Sequence, residues 1–332
     1  MTPIQEASLT KNSASSSDND RVLVVMPAHN AARTIRASIL SVLGQSHADW
    51  RLIVVDDASS DATIEIVQAF VRQDHRIECK KNTGRRGVAG ARNTALGCRR
   101  SERWIAFLDS DDLWHPDKLR LQIDLLRRQK AVLCFASYWR VSESGLLASS
   151  PVPVPAWMSL AQLLGNTAIA TSTVVIDMRE STGIRMNDGV SHEDYELWTR
   201  LLDGRDDYQR WTSLLESGRL AIGLQQPVMA YRICAGSVSR KRVRMSLWVW
   251  RIMRSQMQLP FLYASLKFVE YAVRAWLKHA RYRPRRSSEA VLPPEVLALV
   301  RGGTLHADSD SVRADRCCNM TSTRGGAFDE SH

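Results

Sequence analysis

Short runs of consecutive apolar residues alternate with helix-like segments in the first third of the chain. The runs lie at Arg21–Met26, Leu52–Val55 and Trp104–Leu108, and each is typical of a strand buried on both faces of a parallel sheet. Between the runs, apolar residues recur at helical spacing after Thr34 and after Asp61. This alternation predicts an α/β fold with a mostly parallel sheet flanked by helices on both faces.

The pattern loosens beyond the third apolar run. The expected elements there are a helix over Pro116–Gln129, a strand over Ala131–Val141, a strand over Ser172–Ile176 and a helix over His192–Leu202. Earlier in the chain, a weaker strand is expected over residues 75–80 and a helix over residues 91–100. Ligands of such folds bind beyond the carboxyl ends of the strands, where Asn30, Asp57 and Asp109 all fall.

Changes in composition divide the chain into four parts. Residues 1–20 are rich in Ser, Asn and Asp and predict a disordered leader, unlike the apolar segment of a signal peptide. Residues 21–240 form the expected α/β domain, residues 241–286 a basic and aromatic helical extension, and residues 287–332 a mostly disordered tail. No run of 18 apolar residues occurs, so a membrane span is not expected.

The chain carries a formal charge of +10 and has a pI near 9.6. This excess of basic residues favours a polyanionic partner such as nucleic acid, an anionic membrane surface or a phosphorylated ligand. Six cysteines show neither zinc-ligand spacing nor a compact disulfide framework. A cytoplasmic location is therefore the simplest expectation.

Three carboxylates follow the third apolar run within four positions, at Asp109, Asp111 and Asp112. Like charges at this spacing repel one another, and a divalent metal holding a diphosphate would compensate them. Alternating residues at a strand end also direct Asp109 and Asp111 to one side. The alternative is a solvated acidic turn with an N-cap before a helix at Pro116.

Five segments in this order resemble the motifs of the family 2 glycosyltransferases, which have the GT-A fold. The segments are Val24–Asn30, Val54–Asp61, Asn82–Gly84 with Gly90–Asn93, Phe107–Asp112 and Glu193–Trp198. The resemblance covers roughly residues 20–240 and implies an inverting glycosyltransferase of the bacterial cell-surface polysaccharide type. It also implies a nucleotide-sugar donor, a UDP-sugar first of all, and a saccharide or lipid-linked acceptor.

The resemblance assigns roles to individual residues. It places the donor nucleotide and diphosphate at Pro27, Ala28, His29, Asn30, Asp57, Asn82, Arg92, Asp109, Ser110 and Arg232. His29 stands where the family more often has Tyr, and an imidazole can still stack on a base. By the same resemblance Asp111, with Asp109, holds Mn²⁺ or Mg²⁺, and Asp194 is the general base. Acceptor contacts are expected at Asn166, Thr171, Ser172, Glu193 and Trp198.

Each assignment has a simpler structural alternative. Asp194 could be an acidic residue at a helix N-terminus that the helix dipole stabilises, and Arg92 could lie on a solvated helix face. For the basic and aromatic residues 245–283, the alternatives are peripheral contact with an anionic membrane and packing against the α/β domain. At the level of function, the alternatives to a transferase are a non-catalytic nucleotide- or glycan-binding module and a nucleic-acid-binding or membrane-adaptor protein. No nucleic-acid recognition motif accompanies the charge.

Overall fold

Four parallel strands form one half of the central sheet of the computed structural model. They are β1 (Val22–Ala28), β2 (Trp50–Asp56), β3 (Ile77–Lys81) and β4 (Trp104–Phe107), in the order β3-β2-β1-β4. Helices α1 (Ile35–Leu43), α2 (Thr63–Gln73) and α3 (Val88–Gly97) connect them. Every residue of β1 and β2 is buried, which explains the apolar runs within them at Val22–Met26 and Leu52–Val55.

The other half of the sheet is mixed. It contains β5 (Leu113–Trp114), β6 (Leu133–Ser142), β7 (Trp157–Met158), β8 (Val175–Asp177) and β9 (Ala221–Ile233). The order continues β4-β8-β6-β9-β5, and β7 also pairs with β9. Among the described strands of this half, β6 and β9 pair in parallel and the other pairs are antiparallel, so the predicted parallel arrangement is complete in the first four strands and partial beyond them.

Helices cover both faces of the sheet. The remaining ones are α4 (Lys118–Gln129), α5 (Leu160–Leu164), α6 (Glu193–Asp203), α7 (Arg242–Arg251) and α8 (Phe261–Arg281), with a π-helical turn at Ile252–Gln256 after α7. One apolar core joins α1, α2 and α4 to the sheet, and the other joins α3, α5, α6 and α8. No helix among the described residues is both long and apolar enough to cross a bilayer.

The structure describes most of the predicted α/β domain and extension. The described residues are 20–143, 147–166, 168–181, 183–189, 192–203, 220–233, 242–282, 284, 292–294 and 296–298. The predicted leader apart from Asp20 and most of the predicted tail lie outside them. The predicted strand at Ser172–Ile176 is instead a short 3₁₀ helix, Thr171–Thr173, followed by β8.

Candidate active site

The loops that follow β1 and β2 are joined by hydrogen bonds. The backbone N–H of Asn30 donates to the Ser59 hydroxyl at 3.0 Å, and the Asn30 side-chain oxygen accepts from the Ser60 N–H at 2.8 Å. Nδ1 of His29 lies 3.0 Å from the carbonyl oxygen of Asp57. Asn30 holds a left-handed backbone conformation, with φ of 49°, which asparagine tolerates better than most residues. The predicted nucleotide-binding residues His29, Asn30 and Asp57 therefore lie together, beyond Pro27 and Ala28 at the end of β1.

Asp57 also holds the glycine-rich loop before α3. Its two carboxylate oxygens accept hydrogen bonds from Nδ2 of Asn82 at 2.6 Å and from the N–H of Gly87 at 2.7 Å. Gly87 has φ of 119°, a conformation that favours glycine. At Gly90 a Cβ atom would lie 1.8 Å from the Arg85 carbonyl oxygen, so only glycine fits there. The sequence did not reveal this anchoring role of Asp57.

The acidic segment after β4 is fixed by its neighbours. The N–H of Asp109 donates to the Ser172 hydroxyl at 3.1 Å, and the carbonyl of Ser110 accepts from the hydroxyl of Ser38 at 2.9 Å. Asp112 is buried and accepts a hydrogen bond from the backbone N–H of Arg232 at 3.0 Å. Burial, and then the charges of the two other aspartates, raise the pKa of Asp112 well above its usual range.

Arg92 links this acidic segment to α6. Its guanidinium is 3% exposed and lies 2.5 Å from Oδ1 of Asp109 and 2.9 Å from Oε1 of Glu193. The two carboxylates, with Asp194 behind them, raise the pKa of Arg92 against the opposing effect of burial. Burial raises the pKa of Glu193 to about 7, and the charge of Asp194 adds to that rise. Arg92 is thus a buried connector, not part of a solvated helix face.

Asp194 is oriented by the short helix at residues 171–173. The Thr171 hydroxyl donates to Oδ2 of Asp194 at 2.7 Å, and the N–H of Tyr195 donates to Oδ1 at 2.7 Å. These contacts hold the carboxylate toward a cavity of about 440 Å³. Asp109 lines the same cavity, although it lies 85 positions earlier in the sequence.

The cavity gathers all five predicted acceptor residues. Asn166, Thr171, Ser172, Glu193 and Trp198 all line it. Trp198 is nearly fully buried and packs edge-on against the Phe107 ring, with centroids 5.9 Å apart, so its indole forms part of the floor.

The opposite wall contains residues that sequence reasoning did not identify. Tyr271, Lys278 and His279 of α8 line it, together with Arg140 of β6. Burial, and then the charge of Arg140, lower the pKa of Lys278 to about 8. The Arg140 guanidinium donates to the carbonyl of Tyr282 at 3.1 Å, just after the end of α8. The alternation of basic and aromatic residues in this region was the available signal.

Arg232, the predicted phosphate ligand, is buried in β9. Its backbone N–H reaches Asp112, and its guanidinium donates to the carbonyl of Glu143 at 3.3 Å. The hydrogen bond from the Arg232 backbone to Asp112 holds β9 against the acidic segment.

The acidic segment has the chemistry of a divalent-metal site. Among the described residues, no three His, Cys, Asp or Glu side chains converge on a point that could hold a metal ion. Mg²⁺ and similar ions, however, commonly bind one or two carboxylates and take other ligands from substrate phosphates and water. Asp109 and Asp111 supply such oxygens, and their charges, after the larger effect of burial, raise the pKa of the neighbouring Asp112. The donor set therefore fits a metal shared with a diphosphate.

Comparison with known sequences agrees with this arrangement. A sequence model described as glycosyl transferase family 2 matches residues 23–175. A putative teichuronic acid biosynthesis glycosyltransferase, TuaG of Bacillus subtilis, is 33% identical over 76% of this chain and 95% of its own length. The Escherichia coli enzyme WfgD, a UDP-Glc:α-D-GlcNAc-diphosphoundecaprenol β-1,3-glucosyltransferase, is 32% identical over 79% of this chain and 96% of its own.

Comparison with solved structures supports the fold. Staphylococcus aureus TarS in complex with UDP-GlcNAc has a TM-score of 0.56 at 15% identity, covering 77% of this chain and 72% of TarS. The mannosyltransferase PcManGT of Pyrobaculum calidifontis, in complex with GDP-Man and Mn²⁺, has a TM-score of 0.54 at 18% identity, covering 86% of this chain and 80% of its own. At these identities the similarity establishes a shared architecture.

Proposed function

The chain belongs to glycosyltransferase family 2 and has the GT-A fold, and from this premise we propose that it is an inverting transferase of bacterial cell-surface polysaccharide synthesis. It would move a sugar from a nucleotide-sugar donor, a UDP-sugar first of all, to a saccharide or lipid-linked acceptor. One observation carries the proposal: Asp109 and Asp194 line a single cavity, and Arg92 connects Asp109 to the residue before Asp194.

In this mechanism the donor nucleotide lies against the joined loops after β1 and β2. His29, Asn30, Asp57 and Asn82 are the proposed contacts, and their mutual hydrogen bonds preorganise them. Mn²⁺ or Mg²⁺ held by Asp111 and Asp109, when bound, would offset the charge that develops on the diphosphate leaving group. Arg92 would position Asp109 for this task through their ion pair.

Asp194 is the proposed general base. An acceptor hydroxyl oxygen bonds to the anomeric carbon, the bond from that carbon to the diphosphate oxygen breaks, and the hydroxyl proton passes to Asp194. Attack opposite the leaving group inverts the anomeric configuration. The Thr171 hydroxyl, at 2.7 Å from Oδ2, would fix the carboxylate during transfer.

The acceptor we favour carries a phosphate linked to a lipid. WfgD is named for a diphosphoundecaprenol-linked sugar, and TuaG is named for teichuronic acid biosynthesis. In this chain, Lys278, His279 and Arg140 give one wall of the cavity a basic character that would suit a phosphate. To reach a lipid-linked acceptor, the protein would also need peripheral contact with the cytoplasmic face of an anionic membrane.

Transfer assays test this function. Purified full-length protein is incubated with labelled UDP- and GDP-sugars, Mn²⁺, and acceptor sugars made with and without a diphospho-lipid. Asp194→Asn should lower kcat by about 10²–10⁴-fold while donor affinity stays near that of the wild type. Asp124→Asn, a change to a partly exposed aspartate on the outer helix α4, is the matched control and should be silent.

Two results would contradict the proposal. Near-normal transfer by Asp194→Asn would remove the assignment of the base. Tight binding of UDP and Mn²⁺ by well-folded wild type without any transfer or donor hydrolysis, across a broad donor panel, would instead favour a non-catalytic binding module.

A further inference from the structure

Helix α8 has two opposite faces with different surroundings. Its inner face includes Ala264, which is fully buried, and Tyr271 and Lys278, which line the cavity. Its outer face carries an apolar stripe whose members are 51–76% exposed: Leu262, Leu266, Val269, Val273, Trp276 and Leu277. Two residues along an α-helix correspond to a rotation of about 200°. The stripe therefore lies opposite the inner face, because its positions 262, 266, 269, 273 and 276 each come two residues before an inner position.

An apolar stripe of this length on a water-facing helix indicates an interaction surface. Single exposed apolar residues are common, but contiguous ones extending over four turns of one helix mark a docking site. Nothing among the described residues covers these side chains, because each remains at least half exposed.

The charge around the stripe identifies the partner. Helix α8 contains four Arg or Lys residues and one acidic residue, Glu270, which pairs with Lys267 and Arg274. Arg274 and Arg281 are exposed and lie one helical turn on either side of Leu277, so they border the stripe. A second copy of this chain would bring two such basic regions together and repel, whereas an anionic bilayer attracts them. Trp276 within the stripe is also a residue that favours the bilayer interface.

We propose that the outer face of α8 lies in the interface of an anionic bilayer, so that the inner face receives a lipid-linked acceptor directly from that bilayer. The second clause rests on the proposed function. A helix with its side chains is about 10–12 Å across, so Lys278 and Arg140 would lie close to the level of the headgroups. A phosphate on a lipid carrier could then reach them while its lipid chain stays in the membrane.

Vesicle co-sedimentation tests the first clause without any substrate. The full-length protein is mixed with vesicles of phosphatidylcholine alone or of equal parts phosphatidylcholine and phosphatidylglycerol. We expect binding to the anionic vesicles that weakens with salt. Leu266→Asp and Val273→Asp should each weaken it by about tenfold or more, because each removes an apolar side chain from the interface and adds a repelled charge. Leu40→Asp, a partly exposed leucine on α1, is the matched control and should bind as the wild type does.

Arg274→Gln and Arg281→Gln together test the electrostatic part. They should weaken binding to the anionic vesicles severalfold and leave binding to phosphatidylcholine unchanged. Thermal unfolding and UDP binding of every variant verify that the fold is intact.

The results separate this proposal from the proposed function. Normal transfer to a water-soluble acceptor by protein that binds no vesicles would overturn the bilayer proposal alone. Vesicle binding without transfer would leave it standing and count against the enzyme assignment. Wild-type binding by Leu266→Asp would overturn it, as would a wild-type dimer that this substitution converts to monomer without any vesicle binding, which would show that a second copy covers the face.

Discussion

Two buried cations show how partners decide what burial does to a charge. Arg92 lies between Asp109 and Glu193, and their charges raise its pKa despite complete burial. Lys118 is equally buried in α4, but its ammonium lies 4.1 Å from the centroid of the Trp114 ring and has no hydrogen-bond partner among the described residues. Burial therefore lowers the pKa of Lys118 to about 7. Arg92 joins two parts of the candidate active site, whereas the buried charge of Lys118 lowers the stability of the fold.

Replacing Lys118 should stabilise the protein. In the unfolded state this lysine keeps its usual pKa of 10.5, and in the folded state it releases the proton above about pH 7. The energetic penalty of burying the charge therefore shrinks as pH rises from about 7 to 10.5. Lys118→Met fills a similar volume without the charge and should raise the free energy of unfolding at pH 7 by about 1–4 kcal/mol. Urea denaturation at pH 7 and pH 9 should show that advantage falling by roughly 2 kcal/mol at the higher pH.

Lys81→Met, at an exposed position on β3, is the control for the loss of a lysine and should show no such pH-dependent gain. A Lys118→Met protein less stable than the wild type at both pH values would mean that the contact between the ammonium and the Trp114 ring outweighs desolvation.

Helix α3 contains two glycines with opposite expected responses to alanine. A Cβ at Gly90 would meet the Arg85 carbonyl oxygen at 1.8 Å, whereas one at Gly97 would meet no atom within 4 Å. Gly90→Ala should displace the glycine-rich loop, loosen the Gly87 contact to Asp57, and cost about 1–3 kcal/mol of stability with weaker UDP binding. Gly97→Ala should gain about 0.5–1 kcal/mol through helix propensity. Thermal unfolding and UDP titration measure both effects.

Equal, small effects of the two substitutions would show that the loop yields without cost and does not preorganise the nucleotide-binding region. In that case the glycine-rich loop would not need to be rigid for the protein to bind UDP.

The accuracy of the sequence predictions follows the burial of each element. Strands β1, β2 and β4 are buried along their whole length, so their apolar runs identify them. Strand β9 was not predicted, because Gln225, Gln226 and Pro227 interrupt its pattern at the point where its register with β6 shifts. Strand β5 has two residues and no periodicity to detect. Both strands pair with distant segments, and that pairing depends on tertiary structure.

The sequence predicted those residues of the candidate site that belong to local motifs. It did not predict contacts between residues that are far apart in the chain. Asp109 and Asp194 were predicted and share the cavity. The Arg92 bridge between Asp109 and Glu193 was not, because Arg92 and Glu193 are 101 positions apart. The wall formed by Tyr271 and Lys278 escaped prediction, because the basic and aromatic pattern of α8 does not indicate which of its residues line the cavity. The sequence left membrane contact and core packing as alternatives for this region. The inner face of α8 packs against the core, and its outer face is the one proposed to contact a membrane.

For the whole molecule, binding of the correct donor should appear as a metal-dependent gain in thermal stability. A ligand present at about 100 times its Kd stabilises the folded state by about 2.7 kcal/mol, which corresponds to roughly 5–10 °C in Tm for a domain of this size. The wild type with the right nucleotide sugar should show this shift with Mn²⁺ and a smaller one without it. Asp111→Asn should abolish the difference, while Asp194→Asn should keep it, because the first change weakens metal binding and the second only removes the base. Equal shifts with and without Mn²⁺ in the wild type would contradict a metal shared between the acidic segment and the donor diphosphate.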